Sequence, residues 1–354
     1  NQEILYIGSN FFHRSMNQGK TWTAISPDLT QGGKEGNVAF GTIAAISESP
    51  LQFGLLYTGS DDGLVHLSKD GGVSWSKISG TLPKDRWVSR VVASAHKKER
   101  VYVTLNGYRN DDFASYVYSS DDCGQTWTNI AANLPMSPVN VIVEDNVNEN
   151  ILYVGTDNGL YISMDKGVSW NDFSSEIPNV AVHDLVIQKK ARDLVVGTHG
   201  RSIYKVNLEQ VQQLNDKVLA EKLHIFEIKK IKKSKDWGNS WSSWAKASEP
   251  KAEIWFYSDS DAEVLIQVEN SLKEVVFSEK MKAVKGLNKQ VYDLSISKET
   301  ANKYKSRDKK LKLEESKNGK YYLPVSTSKI SIKKGASLKL LYFFDKIKKE
   351  KYNS

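Results

Sequence analysis

Cysteine is almost missing. Of 354 residues only Cys123 carries a thiol, which excludes an internal disulfide and a cysteine-based metal cluster, zinc fingers included. No run of about 18 apolar residues exists to span a bilayer as a helix. The phosphate-loop pattern G-x-x-x-x-G-K-[ST], the zinc-protease pattern H-E-x-x-H and the nucleophile elbow G-x-S-x-G are all absent, so no cofactor and no metal is expected. What remains, 40% apolar and 26% charged residues, is an ordinary soluble globular composition with chain enough for about two domains.

The net charge of +7 suggests a polyanionic partner until the chain is divided. Residues 1–207 hold 18 Lys+Arg against 22 Asp+Glu, a balance of −4, and residues 208–354 hold 31 against 20, a balance of +11. The basic excess lies in lysine runs at Lys229 to Lys235, Lys303 to Lys320 and Lys346 to Lys351. Such runs read as solvated loops and tails, and no nucleic-acid partner is expected.

Four segments align without gaps: Ser15 to Trp22, Ser68 to Trp75, Ser120 to Trp127 and Ser163 to Trp170, all obeying S-x-[DN]-x-G-x-[ST]-W. A tight turn explains the pattern. Asn17, Asp70, Asp122 and Asp165 can bond nearby backbone N–H groups, and Gly19, Gly72, Gly124 and Gly167 can take positive φ. The tryptophan then opens a strand and packs inward. Spacings of 53, 52 and 43 residues between tryptophans suit a four-stranded propeller blade. One complete unit reads as strands near Thr42 to Ser47, Leu55 to Gly59, Leu64 to Ser68 and Trp75 to Ser79, and two more follow at about 85 to 135 and 138 to 178.

The array is incomplete at both ends. Residues 1–29 supply three strands and lack the first; residues 180–207 supply three and lack the boxed turn and the fourth. The expected fold class is therefore all-β: a β-propeller segment of about four and a half blades, an incomplete ring, followed by a β-sandwich. A propeller hides its strand edges by closing, so missing residues or another chain are expected to finish the ring. The lack of a secretory signal before Asn1 fits a chain that starts inside a longer protein.

The boxed turn resembles the Asp-box or BNR repeat of sialidases, two-propeller xyloglucanases and the sortilin-type Vps10 domain. Trp87-Val-Ser-Arg90, Asp111-Asp-Phe113 with Tyr116-Val-Tyr118, Thr156 to Tyr161, Val182-His-Asp-Leu185 and Val195 to Arg201 resemble large bacterial BNR-repeat proteins common in Bacteroidetes, often labelled glycosyl hydrolase or sortilin-like. The likeness is dense over residues 1–207 and implies the C-terminal portion of a longer polypeptide. Leu208 to Leu223 has helical spacing (Val211, Leu214, Val218, Leu223), and a Trp-rich connector follows, giving a linker over 208–250. The connector's Trp237, Trp241 and Trp244, with Trp255, are expected to pin it in place rather than to stack on sugars. Strands then recur over 251–354, and Gly286 to Leu294 is similar to the G-L-N-x-V-x-W-D-L segment closing these family members, which implies an immunoglobulin-like sandwich. Here Tyr292 replaces the usual Trp, and Val325-Ser-Thr-Ser replaces a Pro-Gly turn.

If the boxed turns mark one face, the turns between second and third strands mark the opposite, funnel face, where binding sites usually lie. The candidate ligand-binding residues there are Arg86, Trp87, Arg90, Tyr108, Arg109, Asp111, Asp112, His183, Asp184, His199 and Arg201, with His13, Arg14, Asp61, Asp62 and Asp157 near them. Asp61-Asp62-Gly63 and Asp157-Asn158-Gly159 read first as hairpin turns, and His183, Asp184, His199 and Arg201 as a polar cluster. The long loop from Asn106 to Ser115 is the strongest local hint of function. Asn17, Asp70, Asp122 and Asp165 face away and read as structural. His66, His96 and His224 are isolated.

A sialidase would show an R-I-P segment, and none occurs. A glycoside hydrolase needs two carboxylates, one with a raised pKa; Asp111, Asp112, Asp184 and Glu144 are the candidates. The expected function is recognition of a glycan, peptide or protein by a secreted or envelope protein through its funnel-face loops. The alternatives are a xyloglucanase-type hydrolase sharing its site with blades outside this chain, and an architectural subunit of an envelope assembly.

Overall fold

The computed structural model describes residues 3–33, 41–174, 177–229, 231–242, 244–324 and 327–344. The chain divides into two compact units, Asn1–Gln212 and Gln213–Ser354.

The first unit consists of five antiparallel meanders. The first holds β1 (Leu5–Gly8), β2 (Phe12–Ser15) and β3 (Thr23–Ala24). The second holds β4 (Ile43–Glu48), β5 (Leu56–Ser60), β6 (Val65–Ser68) and β7 (Ser76–Lys77). The third holds β8 (Trp87–Ala93), β9 (Val101–Asn106), β10 (Tyr116–Ser120) and β11 (Thr128–Asn129), and the fourth β12 (Val139–Glu144), β13 (Leu152–Thr156), β14 (Gly159–Ser163) and β15 (Asn171–Asp172). The fifth has β16 (Val182–Gln188), β17 (Asp193–Thr198) and β18 (Ile203–Asn207). Three, four, four, four and three strands are what the repeat spacing predicts.

Each boxed turn is closed by its own side chains. Asp70 accepts from the Ser68 hydroxyl at 2.8 Å, the Ser74 N–H at 2.9 Å and the Ser74 hydroxyl at 2.5 Å, while Ser68 Oγ accepts the Gly72 N–H at 2.8 Å. The donors from Ser74 and Ser68 hold the Asp70 carboxyl down at about 2, because they stabilise its ionised form. The glycines turn through φ of +85, +95, +84 and +89° at positions 19, 72, 124 and 167. Gln18, Gly71, Cys123 and Lys166 just before them are left-handed as well, a requirement the sequence pattern does not announce.

Three kinds of contact recur between neighbouring sheets. The first strand of the second to fifth sheets carries a bulge, between Ile43/Ala45, Val88/Arg90, Val139/Val141 and Val182/Asp184. The residue opening each bulge fits over the second strand of the sheet before it. A Cβ added at Gly8 would stand 2.7 Å from Ile43, at Gly59 2.2 Å from Val88, and at Gly155 2.6 Å from Val182. At those three junctions only glycine leaves the notch open, whereas the third sheet has Thr104 at the matching position, bonded to Ser89 at 2.8 Å. The bulged residue adds a tie: the Ser89 hydroxyl donates to Val139 O at 2.7 Å and Asn140 Nδ2 to Val182 O at 3.3 Å. At the boxed end, the indole N–H of Trp75, Trp127 and Trp170 donates to Ile25 O, Ile78 O and Ile130 O at 2.9, 2.8 and 2.7 Å.

The second unit contains α1 (Asp216–Leu219), β19 (Leu223–Ile225), β20 (Ala252–Ser258), β21 (Ala262–Glu269), β22 (Val275–Ala283), β23 (Gly286–Tyr292), β24 (Ser295–Ile296), α2 (Lys298–Arg307), β25 (Tyr321–Tyr322), β26 (Thr327–Lys334) and β27 (Ser337–Phe344). Its sheets are β19-β20-β23, β22-β21-β26-β27 and the pair β24-β25. Alternation along the strands sends Ile254, Phe256, Val264, Ile266, Val268, Ile330 and Ile332 into one core.

Three expectations change here. The helical spacing over Leu208 to Leu223 yields only a 3₁₀ turn at Val211–Gln213 and the single turn of α1. Asn215 is extended and its side chain caps Val218 N–H, so a continuous helix is interrupted where a new one is capped. A second departure from an all-strand unit is α2, which Ser297 caps by accepting from Thr300 N–H. Of the connector tryptophans, Trp237 is buried edge-on to Tyr322 at 5.7 Å, but Trp241 and Trp244 are 80% and 76% exposed and pack on each other at 4.5 Å. Tyr292 fills the position expected for Trp, buried, with its hydroxyl donating to Ser295 O at 2.6 Å. Val325-Ser326 and the lysine run Lys346 to Lys351 lie outside the described residues.

Candidate ligand-binding site

An antiparallel meander alternates its turns between two ends, so the boxed turns share one end of the first unit and the turns between second and third strands share the other. The long loop of the third sheet folds back on itself at that second end. Tyr108–Asn110 form a 3₁₀ turn, and Asp111 leaves it in the left-handed region at φ 52°. Asn106 Oδ1 accepts Tyr108 N–H at 2.9 Å, and Asp112 N–H returns to Gly107 O at 3.2 Å. Gly107 is required there, because a Cβ would stand 2.6 Å from Asp112 O.

This fold-back sorts the charged residues into two roles. Asp112 accepts from Arg86 Nε and from the Tyr116 hydroxyl, both at 2.8 Å. The Arg86 bond holds the Asp112 carboxyl below the usual carboxylate range and raises the guanidinium, while burial and then Asp112 raise Tyr116. Asp112 is therefore an anchor. Arg109, by contrast, lays its guanidinium 5.0 Å from the Trp87 ring centroid and stands 3.8 Å from Asp61, a distance too long for a hydrogen bond. Tyr108, 61% exposed, meets the exposed Phe113 edge-on at 6.2 Å. Arg109 on Trp87 and Tyr108 against Phe113 thus give the loop that Asp112 anchors a platform of two such pairs.

A second group lies on the first strands. Arg90 of β8 reaches Asp184 of β16 at 2.7 Å, so the third and fifth sheets meet across the edge of the fourth. The Nε of Arg90 is buried without a hydrogen-bond partner. His183 and His199 stand edge-to-face at 5.2 Å, both exposed, and Arg201 is exposed beyond them. The expected cluster of His183, Asp184, His199 and Arg201 thus forms in part, with Asp184 turned to Arg90.

Other candidates resolve into turn chemistry. Asp61 accepts Thr42 N–H at 2.7 Å, and buried Asp62 takes the Ser60 hydroxyl and Gln31 N–H. His13 is bonded to Ser9 at 3.1 Å. Arg14 belongs to the boxed end, where its Nη1 donates to Gly71 O at 3.0 Å, because its strand runs away from the turn and its side chain is long. Glu144 is buried and accepts from the Ser94 hydroxyl, Ala95 N–H and Tyr102 hydroxyl at 2.7 to 3.0 Å. Two features escaped the sequence reading. Asn106, Asn140 and Asp157 form a ladder with steps of 2.9 Å, signalled only by an Asn inside the apolar run Val139 to Val143. At the boxed end Arg100 holds Asp121 at 2.6 Å and Glu149 at 2.9 Å. Among the described residues no group of three or more His, Cys, Asp or Glu is placed to hold a metal ion, and no helix is long and apolar enough to cross a membrane.

A family model described as "Sortilin, neurotensin receptor 3" matches residues 115–349, and so extends through the second unit. No curated protein matches the sequence. Among solved structures, an ancestral GH74 enzyme is similar at 13% identity and a TM-score of 0.48, over 80% of this chain and 37% of that one. The GH74 xyloglucanase from Xanthomonas campestris is similar at 14% and 0.47, over 98% and 53%. The extracellular domain of a two component system from B. thetaiotaomicron is similar at 14% and 0.42, over 73% and 32%. The chain thus spans about half or less of the length of these structures.

Proposed function

The chain belongs to the Sortilin-Vps10 family, and from that premise we propose that it is a recognition protein of the envelope or secreted space. In this reading the five sheets are an arc of about four and a half propeller blades, and the second unit is an immunoglobulin-like sandwich that docks or spaces them. The ligand is a peptide or protein segment bearing a carboxylate beside an apolar side chain.

One observation carries the proposal: the platform of Trp87, Arg109, Tyr108 and Phe113. Trp, Tyr and Arg are the residues in which interface energy concentrates. Arg109 is oriented by Trp87 yet keeps its donors for a partner, and a guanidinium fork suits a carboxylate. Hydrolysis is less well supported. A glycosidase acid must stay protonated near neutrality, whereas Arg86 keeps Asp112 ionised and Glu144 is committed to its buried donors.

Panning a displayed random-peptide library against the chain tests this. Selected peptides should carry Asp or Glu next to an apolar residue, and Tyr108→Ala and Arg109→Ala should each weaken their binding about tenfold or more. Binders indifferent to both substitutions, or a glycan array that engages this loop when no peptide does, would overturn the reading.

A further inference from the structure

The second unit holds a cavity of about 610 Å³, walled by two segments far apart in sequence, a size usual for small-ligand sites. One segment precedes β20 and contributes Lys233, Lys235 and Trp237; the other lies between α2 and β25 and contributes Lys312, Glu314 and Lys317. Gly238 joins them. It turns through φ 76°, its carbonyl accepts Asn318 N–H at 3.1 Å, and a Cβ there would overlap the Ser316 side chain, so the close approach requires glycine. Asn318 adds a further tie by donating to the Tyr322 hydroxyl at 2.8 Å and to Glu249 at 3.0 Å.

The lysines of this cavity differ from others in the same unit. Lys303, Lys320 and Lys339 are matched to carboxylates at 2.5 to 2.9 Å. Among the described residues, the ammonium groups of Lys233, Lys235, Lys312 and Lys317 have no carboxylate within ion-pair distance. Of the two acids on the wall, Glu315 accepts the Tyr321 hydroxyl at 3.1 Å, and Glu314 is exposed. Trp237 is nine-tenths buried, and its indole N–H has no acceptor among the described residues, whereas the indoles of Trp75, Trp127 and Trp170 each donate to a carbonyl.

Beyond Asn239, which also lines the cavity, the chain leaves in a loop pinched at its neck. Gly238 N–H donates to Ser248 O at 2.7 Å and Ser248 N–H to Asn239 O at 2.8 Å. Trp241 and Trp244 ride on that loop, exposed and edge to face. Two indoles held together in water forgo the burial that usually repays an aromatic side chain, and such exposed apolar surface marks an interaction site.

We propose that the cavity and the indole pair bind an acidic glycan, a chain of sugars bearing carboxylate or sulfate groups. The anionic groups enter the cavity, where the four ammonium groups and the Trp237 N–H meet them; a Lys ammonium serves either anion as a point charge. The C–H faces of neighbouring sugars lie on Trp241 and Trp244, and a sugar hydroxyl donates to Glu314. A bilayer of anionic lipid fits less well, because the lysines line a concavity and Glu314 among them repels a surface of uniform negative charge.

Calorimetric titration of the 354-residue chain with galacturonate oligomers, dextran sulfate oligomers and neutral dextran oligomers, at about 0.15 M salt, tests this. At least one acidic oligomer should bind and neutral dextran should not; binding of galacturonate alone assigns carboxylate, and of dextran sulfate alone, sulfate. Lys235→Ala with Lys312→Ala should weaken binding about tenfold or more, and Trp241→Ala by about as much. Lys280→Ala with Lys282→Ala, an equal loss of charge at exposed positions on β22, should leave it unchanged. The proposal is overturned if neither acidic oligomer binds, if the β22 pair weakens binding as much as the cavity pair, or if Trp241→Ala has no effect. Sedimentation with phosphatidylglycerol vesicles when neither oligomer binds would assign the surface to a membrane instead. No residue of the first unit enters these readouts, so failure here is distinct from failure of the recognition reading at Arg109.

Discussion

The middle sheets and the end sheets of the first unit are built from the same local sequence and differ in their neighbours. Leu160 and Ile203 occupy one position in the repeat, as do Gly155 and Gly197, yet one of each pair is covered by a following sheet and the other is not. Strand, turn and bulge therefore come from local pattern, whereas burial comes from the packing partner. The sharpest way to break this comparison is to truncate both apolar residues. Leu160→Ala should destabilise the first unit by about 3 kcal/mol, the usual result of emptying a filled core site, while Ile203→Ala should stay within about 0.5 kcal/mol. Urea unfolding of the two variants measures this. Matching losses would mean that Ile203 is already covered in solution.

The glycines sharpen the same contrast in the opposite sense, by adding volume. Gly155→Ala forces a methyl group against Val182 Cγ1 at 2.6 Å and Val182 O at 2.8 Å, and a backbone atom cannot swing aside. A loss of about 2 kcal/mol is expected. Gly197→Ala meets only Asp184 of its own sheet, at an ordinary contact distance of 3.6 Å, and should be neutral, or stabilising by up to about 1 kcal/mol through the reduced freedom of the unfolded chain. A shift in thermal midpoint for each variant decides the matter.

Repetition explains how much of this was legible in the sequence. A Ser-to-Trp octad repeated four times exposes its own rules, and the strand content of all five sheets follows from it. The Arg86–Asp112 and Arg90–Asp184 pairs did not follow, because they join residues 26 and 94 positions apart, and such distances depend on how sheets curve rather than on any local pattern. The second unit has no repeat to average over. There a single Asn215 cap ended a helix that apolar spacing predicted, and α2 runs into the start of the lysine run Lys303 to Lys320, which was read as loop. Of the candidate site, the long loop was visible from its length. That Arg109 would lie on Trp87 while Asp112 turned to Arg86 was not, since both acids and both arginines are equally plausible partners on paper.

Histidines probe the contrast through pH. His66, on β6, is half-buried with its Nδ1 shut away from water, and that burial, with Lys77 nearby, depresses its pKa to about 4 against partial opposition from Asp62. His183 and His199 on the end sheet are exposed. A folded-state pKa below the unfolded value means that the unfolded chain takes up the proton first as the solution is acidified. His66 therefore contributes nothing unfavourable above about pH 6.5, progressively destabilises the fold between there and about pH 4, and adds no further loss below. The total should be about 2 kcal/mol, reduced somewhat by residual solvent access. His66→Gln should flatten the stability profile across that window. An unaltered slope in His66→Gln would show that the position is wet.

The smallest expected effect concerns an ion pair that ties a middle sheet to an end sheet. Arg90 and Asp184 meet at 2.7 Å, but their side chains are 36% and 57% exposed, so water screens the attraction and both long-range order and side-chain entropy count against it. A double-mutant cycle with Arg90→Ala and Asp184→Ala should give a coupling of about 0.5 kcal/mol at low salt. It should vanish in about 1 M NaCl, where the screening length falls to about 3 Å. The sign of a departure is informative. A coupling of about 2 kcal/mol that resists salt would require the pair to be desolvated. Since the fourth sheet carries the uncharged Val141 at the position that Arg90 and Asp184 hold in theirs, that desolvation would have to come from something seated over the first strands, which would place the end sheet among the covered ones.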